Sequence, residues 1–197
     1  MRGLALLAAC LLPVFSLQAT DQLVNPKQPG LLPLPQSVEW GGEAIALSAV
    51  QVNIDQLHDD PLRIGQLKQD LNDILQRNKV VVSADATEQI VLRLGSVEVP
   101  QQWVGQDREA YELTAEPRGV AITANKVKGL YYGVQTLRQL MVHRNGKTTI
   151  PARQVPDFPV FKIRGFMHDV GPTFPSLEHL NMSIAPIAQY KINTLHF

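Results

Sequence analysis

Apolar positions along the chain change their spacing several times, and each change marks an element. Residues 37–40 read as a short strand stopped by Gly41-Gly42. Residues 45–54 alternate well enough, with Ile45 and Leu47 and then Val50, Val52 and Ile54, to read as another strand. From Leu62 the spacing shifts to three and four. Leu62, Ile64, Leu67, Leu71, Ile74 and Leu75 then form the apolar face of a helix. Asp60 suits its N-cap, and Pro61 suits the first helical position, where no donor is lost. Residues 80–82 and 90–94 are short β-rich runs. Residues 110–113 and 119–124 make a hairpin across Glu116-Pro117-Arg118-Gly119. A second helix is predicted over residues 129–142, with Leu130, Val134, Leu137, Leu140 and Met141 facing inward.

This order of strands and helices predicts an α+β domain over residues 30–150: a mixed sheet with helices on one face. Arg144-Asn145-Gly146-Lys147 reads as a turn. Pro151, Pro156 and Pro159 then suggest an extended, irregular linker, with a domain boundary near Val155. A second region follows over residues 156–197. Its apolar run from Val160 to His168 fits a buried strand. Ser176 can cap a helix that runs toward Lys191, with Glu178 in its first turn and Pro186 inside it. A further strand begins at Ile192. Strand, helix and strand in this order form one parallel crossover unit, the repeating piece of a barrel or an open sheet. One unit cannot close a barrel, and 197 residues leave no room for a full eight-fold barrel beside another domain.

The start of the chain reads as an export address. Met1-Arg2-Gly3 precedes an apolar run from Leu4 to Phe15, and Leu17-Gln18-Ala19 puts a small residue at a cleavage point, so residues 1–19 are expected to be a signal peptide. The run is shorter than the ~20 residues a spanning helix needs, and no other stretch could cross a membrane. Cys10 is the sole cysteine, which excludes an internal disulfide. Leu7-Ala8-Ala9-Cys10 resembles a lipoprotein cleavage box, which makes a lipid anchor at Cys10 the alternative to simple cleavage. The expected location is periplasmic or extracellular, or membrane-anchored through that lipid. Lys and Arg number 18 and so do Asp and Glu, so no basic excess supports nucleic-acid binding.

Four segments together resemble one family. Gly129-Leu-Tyr-Tyr-Gly-Val-Gln-Thr-Leu-Arg-Gln-Leu140 resembles the last helix of the small N-terminal domain of glycoside hydrolase family 20, the β-N-acetylhexosaminidases. Leu32-Pro33-Leu34-Pro35 resembles the start of that domain. Asp157-Phe158-Pro159 with Arg164-Gly165-Phe166-Met167-His168-Asp169 resembles the first strand of the catalytic (β/α)8 barrel. Tyr190-Lys191-Ile192-Asn193-Thr194-Leu195-His196-Phe197 resembles the end of its first helix and its second strand. The segments occur in the family's order.

The resemblance implies removal of terminal β-linked N-acetylglucosamine or N-acetylgalactosamine from glycans. The substrate's own acetamido oxygen would act as nucleophile, assisted by an adjacent Asp-Glu pair. It implies no metal and no organic cofactor. That Asp-Glu pair belongs to a later barrel strand, beyond Phe197, so the chain is expected to be an inactive N-terminal fragment. The resemblance carries Arg164 over as a ligand of sugar hydroxyls, because a guanidinium offers several donors in one plane. An ion pair with Asp169 or another carboxylate is the alternative. Asp169 and His196 are expected near the site, at strand ends, with His168 beside them; a structural role is the alternative for each. Two departures from the family pattern stand out: Pro172, where an arginine is usual, and Pro186. His58, His143 and His179 have no partner at metal-ligand spacing. Tyr131-Tyr132 with Trp40 or Trp103 could make a sugar-stacking surface, although at helical spacing such aromatics are more often core. The competing functions are a non-catalytic support or glycan-binding module and a decayed gene product.

Overall fold

The computed structural model describes residues 29–169, 171 and 176–196. The expected signal peptide, Cys10 and Pro172 lie outside the described residues. Eight of the described strands form one mixed sheet: β1 (Glu39–Leu47), β2 (Ala49–Ile54), β3 (Val81–Val82), β4 (Gln89–Leu94), β5 (Tyr111–Glu116), β6 (Gly119–Ala124), β7 (Val142–Arg144) and β8 (Lys147–Asp157). The sheet order is β1-β8-β5-β6-β4-β2-β3, with β7 paired to β8. Pairing is antiparallel from β1 through β6 and parallel from β6 through β3. Helices α1 (Pro61–Arg77) and α2 (Val127–Leu140) supply the covering layer.

Register explains which face they cover. Ile90 pairs with Val120 and Leu92 with Ile122, and all four are buried in one core with Leu67, Leu71, Leu130 and Leu137 from the helices. The alternate positions point away. There Asn53 bonds Gln89, Arg93 bonds Thr123, and Gln154 bonds Glu112, all on a polar face. The α+β arrangement with helices on one face is therefore what the alternating pattern specifies. The glycines of α2 have a packing reason. A Cβ on Gly129 would lie 2.4 Å from the Ala110 carbonyl oxygen, and one on Gly133 would lie 2.4 Å from Ile122 Cγ2. Their absence lets α2 sit directly on β5 and β6.

Local signals held where they were strong. Asp60 caps α1, accepting from the Leu62 amide at 2.9 Å. Asn145 and Gly146 carry φ of 51° and 74°, as a tight hairpin turn between β7 and β8 requires. Leu62 was expected on the inner face but is 82% exposed, because nine residues at about 100° each put it on the side of α1 opposite the buried Leu71.

Other expectations need correction. Gly41-Gly42 does not stop a strand: β1 runs through it with shifts of register. Residues 45–54 are not one strand but the end of β1 and all of β2, divided at Ser48. The proline-bearing stretch near 150–159 is no irregular linker, since most of it is β8, eleven residues between β1 and β5. Its prolines sit where a ladder tolerates them. Pro151 lies opposite the irregular stretch of β1 between Trp40 and Ile45, and Pro156 lies beyond the last β1 partner, Glu39, which pairs with Gln154. Val155, read as the boundary, is fully buried opposite Leu113.

The remaining elements are β9 (Gly165–Met167), α3 (Leu177–Gln189) and β10 (Thr194–His196). β9 and β10 pair in parallel, with Phe166 opposite Leu195. The crossover unit thus forms, with Ser176 capping α3 and Pro186 inside it. Residues 160–168 are not a buried strand, however. β9 has three residues, and Phe166 is 42% and Met167 71% exposed.

Candidate functional site

Parallel pairing puts the starts of β9 and β10 side by side and their C-terminal ends side by side. Arg164 precedes β9; Lys191 and Asn193 precede β10. His168, Asp169 and His196 lie at the opposite ends. There the His168 amide donates to the His196 carbonyl at 2.9 Å. Asp169 is exposed and accepts from the Gly171 amide at 2.8 Å, while His196 is exposed. Asp169 and His196 therefore share one rim. Arg164 is away from them by the length of β9, roughly 10 Å at ~3.3 Å per residue.

Arg164 is bound into the protein. Its Nε donates to the Lys191 carbonyl at 2.8 Å, its Nη1 to the Phe161 carbonyl at 2.8 Å, and its Nη2 to Glu109 Oε2 at 2.5 Å. The guanidinium also lies 5.5 Å from the Tyr132 ring centroid. Its carboxylate partner is Glu109, not Asp169. Glu109 closes a 3-10 helical segment, Gln101–Glu109, which the apolar pattern did not signal. It also receives Lys128 Nζ at 2.5 Å and Asn193 Nδ2 at 3.3 Å. Asn193 completes the arrangement by accepting from the Arg164 amide at 2.9 Å.

A second cluster adjoins the first. Lys191 is only 5% exposed, and its Nζ donates to Asp157 Oδ2 and to the Tyr111 hydroxyl, each at 2.8 Å. Tyr111 donates to the same Asp157 oxygen at 3.0 Å and pairs with Thr136 Oγ1 at 2.5 Å. A cleft of about 220 Å³ opens beside both clusters, lined by Pro33, Leu34, Tyr132, Phe158, Phe161 and Arg164 among others. Tyr132 is core, consistent with the commoner fate of aromatics at helical spacing.

Burial and charge act against each other here. Burial pushes the Tyr111 hydroxyl well above 10, and the Asp157 charge adds to the rise. Burial lowers Lys191 below 10.5 despite the attraction of Asp157. At Glu109 burial alone would raise the carboxyl. Hydrogen bonds from Lys128 and Arg164, with their charges, outweigh it and hold the group below its usual 4.5. A lowered carboxyl stabilises the fold fully above its unfolded value, and that contribution is lost as pH falls through the folded value. The stability advantage of the native chain over Glu109→Gln should therefore be complete at pH 6 and shrink below about 4.5. Urea midpoints of both proteins across that range check this. An advantage that persists undiminished down to pH 2 would contradict it.

Sequence reasoning missed Glu109, Asp157 and Tyr111. Asp157 lay in the supposed linker, and Glu109 lay in a segment without apolar period. Lys191 and Asn193 belonged to a recognised segment but had no assigned role. Among the described residues, no three His, Cys, Asp or Glu side chains cluster as a metal site would require. The clusters hold no nucleophile paired with a base; they are ion pairs that join two parts of the chain.

Comparison with known proteins fits this architecture. The family model described as glycosyl hydrolase family 20, domain 2, matches residues 28–158. A beta-hexosaminidase of Porphyromonas gingivalis is 29% identical over 96% of this chain and 26% of its own length. A beta-N-acetylhexosaminidase of Cellulomonas fimi is 31% identical over 84% of this chain and 33% of its own. Among solved structures, a Streptomyces plicatus N-acetyl-beta-hexosaminidase in complex with Thio-NAglucal superposes with TM-score 0.66 at 29% identity, covering 84% of this chain and 33% of that one. The chain thus spans a quarter to a third of the length of these relatives.

Proposed function

Because the chain belongs to glycosyl hydrolase family 20, we propose that it is the N-terminal part of an exported β-N-acetylhexosaminidase, acting on glycans that end in β-linked N-acetylglucosamine or N-acetylgalactosamine. In this reading residues 1–19 direct export. The stretch that follows β8, whose start the sequence reading put at residue 156, begins the catalytic (β/α)8 barrel, and the Asp-Glu pair that assists the substrate's acetamide lies in later strands. The 197 residues alone then bind no substrate productively and hydrolyse nothing.

The observation that carries this reading is the exposed apolar surface of the crossover unit. Phe161, Ile163, Met167, Leu177 and Met182 are each more than 65% exposed. A self-sufficient module has no reason to expose so many large apolar side chains. Further barrel strands and helices would cover them. Asp169 and His196, at the C-terminal ends of β9 and β10, stand where barrel enzymes carry their chemistry. Arg164 stands at the other end with its guanidinium on protein acceptors. We assign it to holding β9, and the sugar contact that the resemblance implies remains part of the proposal, since a guanidinium has five N–H donors and three of its bonds go to the protein.

The test is hydrolysis of 4-nitrophenyl N-acetyl-β-D-glucosaminide by two products: the 197-residue chain, and the product of its coding frame extended past Phe197. The longer product should release nitrophenol and the shorter one should stay at background. Turnover by the short chain, or a longer product that is silent on both the glucosaminide and the galactosaminide, would overturn the proposal.

A further inference from the structure

We propose that the α+β domain is a positioning platform for the β9–β10 pair: Glu109 and Asp157 clamp the starting ends of both strands through Arg164, Asn193 and Lys191, and so fix where His168, Asp169 and His196 stand at the far ends.

Four observations carry it. The first is how little apolar burial holds the crossover unit. Phe166 and Met167 in β9 and Leu177, Met182 and Ile184 in α3 are exposed, so packing alone does not seat these elements. The second is charge complementarity. Both carboxylates belong to the platform, and the unit brings a cation to each: Arg164 to Glu109, which also holds the platform's own Lys128, and Lys191 to Asp157. The third is where the contacts fall. Arg164 immediately precedes β9, while Lys191 and Asn193 immediately precede β10, so each strand is gripped at the same end. Asn193 ties the two grips together, since it accepts from the Arg164 amide and donates to the Lys162 carbonyl and to Glu109. The fourth is the backbone of Lys191. Its φ of 60° lies in the left-handed region, where glycine is the usual residue after a helix. From that conformation its side chain reaches Asp157 and Tyr111.

The geometry has a mechanical consequence. Strands only three residues long, held firmly at one end, transmit position to the other end through the parallel ladder and the His168–His196 bond. A shift at Glu109 would therefore move groups that Glu109 never touches. Glu109 acts through Arg164 and is a positioning residue.

The inference rests on the hexosaminidase reading only for what the strand ends do; the clamp itself is tested on the 197-residue chain without any hydrolysis assay. Amide hydrogen exchange of the native chain, Glu109→Gln and Asp157→Asn separates local release from general weakening. In the native chain the amides of His168, Asn193 and Thr194 should be protected. Glu109→Gln should speed their exchange about tenfold or more, by a clearly larger factor than it speeds the amides of β5 and β6. Asp157→Asn should act in the same direction. A uniform acceleration across β5, β6, β9 and β10 would mean a general stabilising role and would overturn the proposal. So would unchanged rates at β9 and β10 in both variants, or an absence of protection there in the native chain. If the exchange result holds and the longer product is inactive, the clamp stands and the hexosaminidase reading fails.

Discussion

Replacing Asp157 by alanine should destabilise the chain by about 3–5 kcal/mol, because it leaves the buried Lys191 ammonium without its anion. Such a loss is a large part of the 5–15 kcal/mol that ordinary domains have. The cost comes from stranding a charge, not from the worth of the pair. Taking two ions out of water offsets much of their attraction, so removing both can be nearly neutral. Adding Lys191→Met to Asp157→Ala should therefore recover most of the loss, since methionine fills much of the lysine stem's volume. Urea unfolding of the four proteins in the cycle measures this. A double variant as unstable as Asp157→Ala alone would show that Asp157 acts through Tyr111 or the backbone and not through the lysine. Lys191→Met alone should cost less than Asp157→Ala. It leaves a carboxyl that still accepts from Tyr111 at 3.0 Å.

Gly119→Ala should be as damaging, by about 2–6 kcal/mol, for an unrelated reason. Gly119 carries φ of 128°, a region essentially restricted to glycine. An alanine Cβ there would also lie 1.9 Å from the Gln89 carbonyl oxygen, within the parallel contact of β6 with β4. Backbone strain and backbone clash add, and neither can be relieved by rotating a side chain. The alanine variant should melt well below the native chain, with its midpoint lowered by roughly 4–8 °C for a loss of ~2 kcal/mol and in proportion for a larger one. A shift under 3 °C would mean that β4 and β6 part easily, which their central place in the sheet argues against.

The two variants probe opposite kinds of information. Gly119 was legible as a turn residue from Glu116-Pro117-Arg118-Gly119, because turn chemistry is local. Its close approach to Gln89, thirty positions earlier, was not. Asp157 gave no local sign of its role, since its partners Lys191 and Tyr111 are 34 and 46 residues away in sequence.

By itself the amino-acid sequence determined what depends on neighbours three or four positions apart, or on alternation. Asp60 and Pro61 set the start of α1. The spacing of Leu67, Leu71 and Leu75 chose its buried face, and alternation in β4 and β6 separated the core side of the sheet from the polar side. Four ordered segments were enough to identify the family, because such resemblance reads strings of residues and needs no contacts. Only the tertiary structure decided that the prolines near 151 belong to a central strand. A proline's lost donor is harmless or harmful according to what lies opposite, and Pro151 meets a break in β1's register. It also decided the fate of Arg164. Any buried guanidinium needs an anion, but which carboxylate comes within 2.5 Å depends on Glu109 arriving from 55 residues away. Pairwise contacts across such separations come from how layers stack, and no window of sequence holds both partners at once.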